Sequence, residues 1–206
     1  MTISFSNVSF RYPKMPPRAW LLRGADLTLG PGIVAAVGQR GTGKTTLARL
    51  AVGAVPPTRG RVRVHGDCSW IVGSFAGFTG PVRPIDQIRF LCRVFDRNLD
   101  AAVAVARGQC EDPGILEKPA FATEQINLVY VASALAVHFN FHNYVIDGNF
   151  YTREQPIVAL VKELAAADSA RTILVCTRYR RLAEQLGGQA LDVDALTSNA
   201  SSGEVL

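Results

Sequence analysis

The 206-residue sequence predicts an α/β domain: a parallel core sheet, an antiparallel set of strands ahead of it, and a helical insert within it. Three observations carry this reading. First, the apolar run Gly32-Ile33-Val34-Ala35-Ala36-Val37 leads into Gly38-Gln39-Arg40-Gly41-Thr42-Gly43-Lys44-Thr45, and a helical pattern through Thr46, Leu47 and Leu50 leads out of it. Strand, glycine-rich loop and helix, in that order, are the setting in which a GxxxxGK[ST] segment cradles phosphate. Second, residues 3–10 place Ile3, Phe5, Val8 and Phe10 against Ser4, Ser6 and Ser9, as an antiparallel edge strand would. Third, stretches of helical periodicity lie between the loop and a later apolar strand that ends in an acid, Asp147.

The remaining elements follow in order. Arg11-Tyr12-Pro13-Lys14-Met15-Pro16-Pro17 is a proline-rich loop, residues 20–29 resume strand character, and Gly30-Pro31-Gly32 turns into the strand before the phosphate loop. Pro56-Pro57-Thr58-Arg59-Gly60 turns into a strand at 61–65, with a further strand at 69–73. A glycine-rich segment at 74–81 precedes helices at 85–95 and 99–107, and the glycines and prolines of 108–119 read as a connector. Helix is expected from 123 to 139, strand at 143–147, helix at 153–167, strand at 171–176, helix at 178–187 and a last strand at 189–193. The tail 197–203 is polar and is expected to be mobile.

Composition narrows the function. With 48% hydrophobic and 19% charged residues the chain has the material for a sizeable core. A mean hydropathy of +0.14 implies either an apolar surface for a partner or a larger core. No stretch approaches the ~20 apolar residues of a membrane span. The opening Met1-Thr2-Ile3-Ser4-Phe5 begins as a strand and lacks the pattern of a signal peptide, so a cytoplasmic protein is expected. Cys68, Cys92, Cys110 and Cys176 have no metal-binding spacing and are expected to be reduced thiols. The charge of +5 is spread among scattered arginines, so no nucleic acid is expected as partner. An anionic membrane surface or an acidic partner loop is the alternative use of that charge.

The chain resembles the ATP-binding subunits of ABC transporters, and among them it is similar to the ATPases of capsular polysaccharide exporters. The likeness rests on Ile3 through Tyr12, the phosphate loop, Ser69-Trp70-Ile71-Val72-Gly73 with Ala76-Gly77-Phe78, and Tyr144-Val145-Ile146-Asp147. It covers nearly the whole chain as one ABC-type nucleotide-binding domain, 1–206, with a helical insert at about 82–140. The resemblance implies ATP and Mg²⁺ as ligands, a membrane permease as partner, homo- or heterodimers, and a place at the inner face of the plasma membrane.

The expected nucleotide site is Gly38, Gln39, Arg40, Gly41, Thr42, Gly43, Lys44, Thr45 and Thr46, with Tyr12 as the ring that stacks on adenine. The glycines let backbone N–H groups turn inward as an anion nest, Lys44 reaches the β- and γ-phosphates, and Thr45 with Asp147 holds the metal. Thr46 directs its N–H or hydroxyl at the α-phosphate.

Departures surround this site. Where the family has a water-polarising glutamate after the aspartate, the chain has Gly148. Its histidine after the next strand is Arg178, its glutamine after the third strand is Thr79, and its serine-glycine signature is Ala122-Thr123-Glu124-Gln125-Ile126. Loss of a general base costs about 10²–10⁴-fold in rate. Thr123 before an acid reads as a helix cap, and Leu186-Gly187-Gly188-Gln189 as a helix C-terminal turn. Arg178 or Glu154 could substitute for the missing groups.

The expectation is an ATP-binding exporter subunit with weak or absent hydrolysis of its own. The segment 75–81 and the helices at 85–107 would face the permease. The alternative is an ATP-sensing regulatory or scaffold protein on the same fold. A small-molecule kinase fits less well, because more than thirty strand-like residues precede the phosphate loop.

Overall fold

The computed structural model describes residues 1–16, 19–73, 78–148 and 154–198. It divides into two compact units, one of Met1–Ile71 with His142–Leu206, the other of Val72–Phe141.

In the first unit, β1 (Thr2–Phe10), β2 (Leu22–Leu29) and β4 (Arg59–His65) form a three-stranded antiparallel sheet in the order β2-β1-β4. The expected edge strand is therefore the central one. Alternation cannot separate the two cases, because it reports which face is buried and not how many neighbours a strand has. The alternation is also interrupted. Strict period two would turn Val8 away from Ile3 and Phe5, yet all three are buried. Asn7, at φ 48°, supplies the extra residue, and the register with β2 shifts between Phe5 and Val8. Asp26 fixes the bulge by accepting the Asn7 N–H at 2.8 Å.

The second sheet has the order β5-β6-β7-β3-β8, from β3 (Gly32–Val37), β5 (Cys68–Val72), β6 (Asn143–Asp147), β7 (Thr172–Thr177) and β8 (Gln189–Asp192). β6, β7, β3 and β8 run parallel. Every residue of β6 and β7 is buried, as the apolar centres of both strands, 144–146 and 173–176, require of strands covered on both faces. α1 (Lys44–Ala51) follows β3, and α5 (Glu154–Ala167) and α6 (Arg180–Leu186) follow β6 and β7. Leu47 and Leu50 of α1 join the apolar residues of β1 and β2 and Leu174 and Cys176 of β7 in one core. A short α7 (Val193–Ser198) follows β8, buries Val193 and Leu196 in that core, and reaches two residues into the segment expected as a tail. The rest of the tail lies outside the described residues.

The second unit contains α2 (Pro84–Phe95), α3 (Leu99–Gly108), 3₁₀ turns at Pro113–Glu117 and Ala120–Ala122, and α4 (Gln125–Phe139). Pro84 starts α2 at a position where its missing N–H costs nothing, and Asp86 accepts from Arg83 and Arg89, each at 2.7 Å. α4 buries Leu128, Val131, Ala132, Leu135, Ala136 and Phe139, a stripe at helical spacing. Phe139 and Phe141 pack around Phe95, with ring centroids 6.0 and 5.0 Å away. Thr123 does not cap α4. Glu124 is the cap residue, without a side-chain bond, and the Thr123 hydroxyl is buried without a partner among the described residues.

Gly60 is the tightest backbone approach in the first sheet: at φ 80°, a Cβ there would lie 2.1 Å from the Asn7 carbonyl oxygen. Gly60→Ala is expected to destabilise the protein by about 2–4 kcal/mol, through the left-handed backbone and the steric conflict with the bulge together. Denaturant unfolding measures it.

Candidate functional site

The site is built on the C-terminal ends of the parallel strands, where ligands of open α/β sheets bind. The loop after β3 turns through Gly41 at φ 90° and Gly43 at φ 99°, conformations that side chains disfavour. Gly43 is the cap residue of α1, with no side-chain cap and no acid in the first turn. The positive end of the helix and its first N–H groups are therefore left for an anion.

Lys44 does not reach into solvent. It is 6% exposed, and its ammonium donates to the carbonyl of Gly38 at 2.8 Å and to that of Gln39. An ammonium has three donors. Two are spent within the loop, and the third remains for an incoming phosphate. Thr42 ties the same turn by donating its hydroxyl to the Gln39 carbonyl at 2.9 Å. Thr45 is exposed beside them.

A cavity of about 450 Å³ opens on this loop, lined by Tyr12, Leu21, Arg40, Gly41, Gly43, Lys44, Thr45, Thr46 and Arg178. Its volume is in the range of small-molecule sites. Tyr12, expected as an exposed ring, is half-buried. Its ring packs edge-on against Phe10 with centroids 4.9 Å apart. Its hydroxyl accepts from Arg49 at 2.9 Å and pairs with the Thr46 hydroxyl at 3.3 Å. The Thr46 hydroxyl thus serves Tyr12, which leaves the Thr46 N–H for a phosphate. Neither Leu21 nor Arg49 was found by sequence reasoning, because only folding brings them to the cavity and to Tyr12.

Asp147 ends β6, buried at 4% exposure, in register with Cys176 of β7, which is in turn in register with Ala36 of β3. Two strand spacings, roughly 10 Å, separate its strand from β3. The Cys176 thiol between them is pushed up by burial first and by the Asp147 charge second, while Lys44 opposes both. Both charges are therefore felt at one point below the loop. Thr45 and Asp147 offer one hydroxyl and one carboxylate. No group of three or more His, Cys, Asp or Glu among the described residues could hold a metal. Two hard oxygen ligands fit Mg²⁺ held jointly with phosphates and water, and do not make an all-protein cage.

The departures are also placed. Gly148 donates its N–H to the Cys176 carbonyl at 2.8 Å. A Cβ there would meet that oxygen at 3.2 Å, Ile157 at 3.3 Å and Leu182 at 3.4 Å. Arg178 lines the cavity; its guanidinium stacks 4.7 Å from the ring centroid of Tyr179 and donates to the Tyr179 hydroxyl. Thr79 and Glu124 belong to the second unit. The side chain of Glu154, at the start of α5, lies outside the described residues. Gly187, at φ 65°, ends α6 as the C-terminal turn read from the sequence.

No family model matches the chain. It is 29% identical over 146 residues to the capsule polysaccharide export ATP-binding protein CtrD of Neisseria meningitidis, covering 70% of this chain and 68% of that one. It is 28% identical over 146 residues to the ATP-binding protein BexA of Haemophilus influenzae, covering 70% and 67%. Among solved structures, an inward-facing conformation of a metal-chelate type ABC transporter superposes with a TM-score of 0.62 at 17% identity, over 92% of this chain and 78% of that one. The chain has the ABC-transporter ATPase fold, and its sequence is similar to those of a capsule polysaccharide export ATP-binding protein and of a second ATP-binding protein.

Proposed function

We propose that the chain is an ATP-binding subunit of an ABC-type capsular polysaccharide exporter, with weak or absent hydrolysis of its own. The observation that carries the proposal is the state of Lys44: a buried ammonium held by two loop carbonyls, with one donor left at the mouth of a cavity walled by Tyr12 and Arg178. In this reading the phosphates lie on the N–H groups of residues 41–46 and on Lys44. Mg²⁺ is held by Thr45 and Asp147, and adenine lies against Tyr12. Similarity to a relative named for capsule polysaccharide export supports the transport role.

The weak hydrolysis follows from Gly148. It cannot polarise water, and its surroundings leave little room for a side chain that could. Arg178 cannot accept a proton as a histidine does, although its fixed charge suits a phosphate.

The chain would act from the cytoplasmic face, as a homodimer or paired with another ATP-binding subunit, docked on a permease. No helix among the described residues is long and apolar enough to cross a membrane. Part of the segment assigned to docking, 75–77, lies outside the described residues. Within α2, however, Phe90 and Val94 are 65% and 56% exposed and four residues apart, an apolar strip on one helix face.

Four measurements test this. Calorimetric titration should show Mg·ATP binding that Lys44→Ala weakens about 10- to 100-fold, the scale of a charged hydrogen bond to phosphate. Steady-state turnover of the pure protein should match that of Lys44→Ala, and robust magnesium-dependent hydrolysis by the wild type would refute the weak-hydrolysis reading. Gly148→Glu should lower stability by about 1–3 kcal/mol, since its Cβ needs neighbours to move, without raising turnover. Phe90→Asp should leave ATP binding unchanged and abolish co-purification with membranes; retention on membranes would exclude α2 as the docking face.

A further inference from the structure

We infer that Asp194 is a positioning residue for Lys44, acting through the peptide unit that joins Gly38 to Gln39. This inference rests on the nucleotide-binding reading of the loop.

The carbonyl of Gly38 accepts the Lys44 ammonium at 2.8 Å. The N–H on the other side of the same peptide, that of Gln39, donates to a carboxylate oxygen of Asp194 at 3.5 Å. In a trans peptide the C=O and N–H point in opposite directions. The peptide dipole is therefore aligned between a carboxylate on its N–H side and an ammonium on its C=O side. Chains of this kind polarise one another, so the carboxylate makes the Gly38 carbonyl a stronger acceptor for Lys44.

Asp194 is fixed well enough to do this. It stands at the start of α7, between the buried Val193 and near the buried Leu196, and its own N–H donates to the Asp192 carboxylate at 2.9 Å. Contact with the loop is close. A Cβ on Gly38 would lie 3.1 Å from an Asp194 carboxylate oxygen, 3.3 Å from the Val193 Cβ and 2.6 Å from the Thr42 hydroxyl oxygen. Gly38 is thus required by α7 on one side and by the turn of the loop on the other. Because the carboxylate faces the N–H side, it supports the ammonium without entering the phosphate cradle. Asp194 touches no phosphate. It sets where Lys44 waits.

The test separates the cradle from the adenine side by using two probes on the full chain: ATP and inorganic pyrophosphate, each displacing a fluorescent ATP analogue. Asp194→Ala should weaken both probes about five- to tenfold, the worth of one hydrogen bond. Asp194→Asn keeps an acceptor but loses the charge, and should weaken both about two- to threefold. Tyr12→Ala should weaken ATP more than pyrophosphate, the opposite of the equal loss expected at Asp194. Thermal unfolding identifies any variant that fails to fold, and if Asp194→Ala does, Asp194→Asn decides alone. The inference is overturned if the folded Asp194 variants bind pyrophosphate as the wild type does, or lose ATP alone. A wild type that binds neither probe refutes the nucleotide reading itself, a distinguishable outcome.

Discussion

The buried ammonium of Lys44 is the constraint around which the first unit is arranged. A cation at 6% exposure is costly unless its donors are met, and here two loop carbonyls meet two of the three. Those carbonyls converge only because the loop makes consecutive turns, with glycines where the backbone is left-handed. The turns are in turn fixed at both ends, by a strand buried in a parallel sheet and by a helix whose Leu47 and Leu50 reach the same core as β1 and β2. The antiparallel sheet therefore does more than cover the core. It carries Tyr12 to the cavity and braces the helix that begins at Lys44.

Binding and hydrolysis make different demands on a protein, and the proposed function rests on that difference. Binding needs N–H groups, a cation and a surface for the base, and in the proposed reading the loop, Lys44 and Tyr12, which line one cavity, supply them. Hydrolysis also needs a group that orients and activates water. After Asp147 the backbone turns with its N–H committed to Cys176 and its missing Cβ directed at Ile157 and Leu182. The absence of a side chain at Gly148 is thus accommodated by packing, and not only by a change of letter.

The second unit has its own core, centred on α4 and the Phe95, Phe139 and Phe141 rings, yet keeps large apolar side chains in solvent. Phe121 is 72% exposed and Phe90 65%. The slightly high mean hydropathy is thus accounted for in part by exposed surface, in addition to the core.

The phosphate loop was legible because its chemistry is local. Residues 38–45 carry their own geometry through glycine freedom and the strand and helix on either side. Buried strands such as 143–147 were legible for a similar reason, since an unbroken apolar run has few other places to go. What failed were the features set by distant neighbours. The centrality of β1 depends on β4, more than fifty residues later in the chain, and the phase of its buried face depends on a bulge at Asn7. The hydroxyl of Tyr12 is claimed by Thr46 and Arg49, which its own sequence context cannot reveal. Asp194, in a segment that reads as the edge of a polar tail, reaches Gln39 across 155 positions. The sequence by itself determined the glycine-rich loop between β3 and α1 and the fold class, because both follow from short-range periodicity and backbone freedom. Only the tertiary structure decided which side chains wall the cavity and which carboxylate backs the loop, because such contacts join residues whose separation along the chain carries no signal.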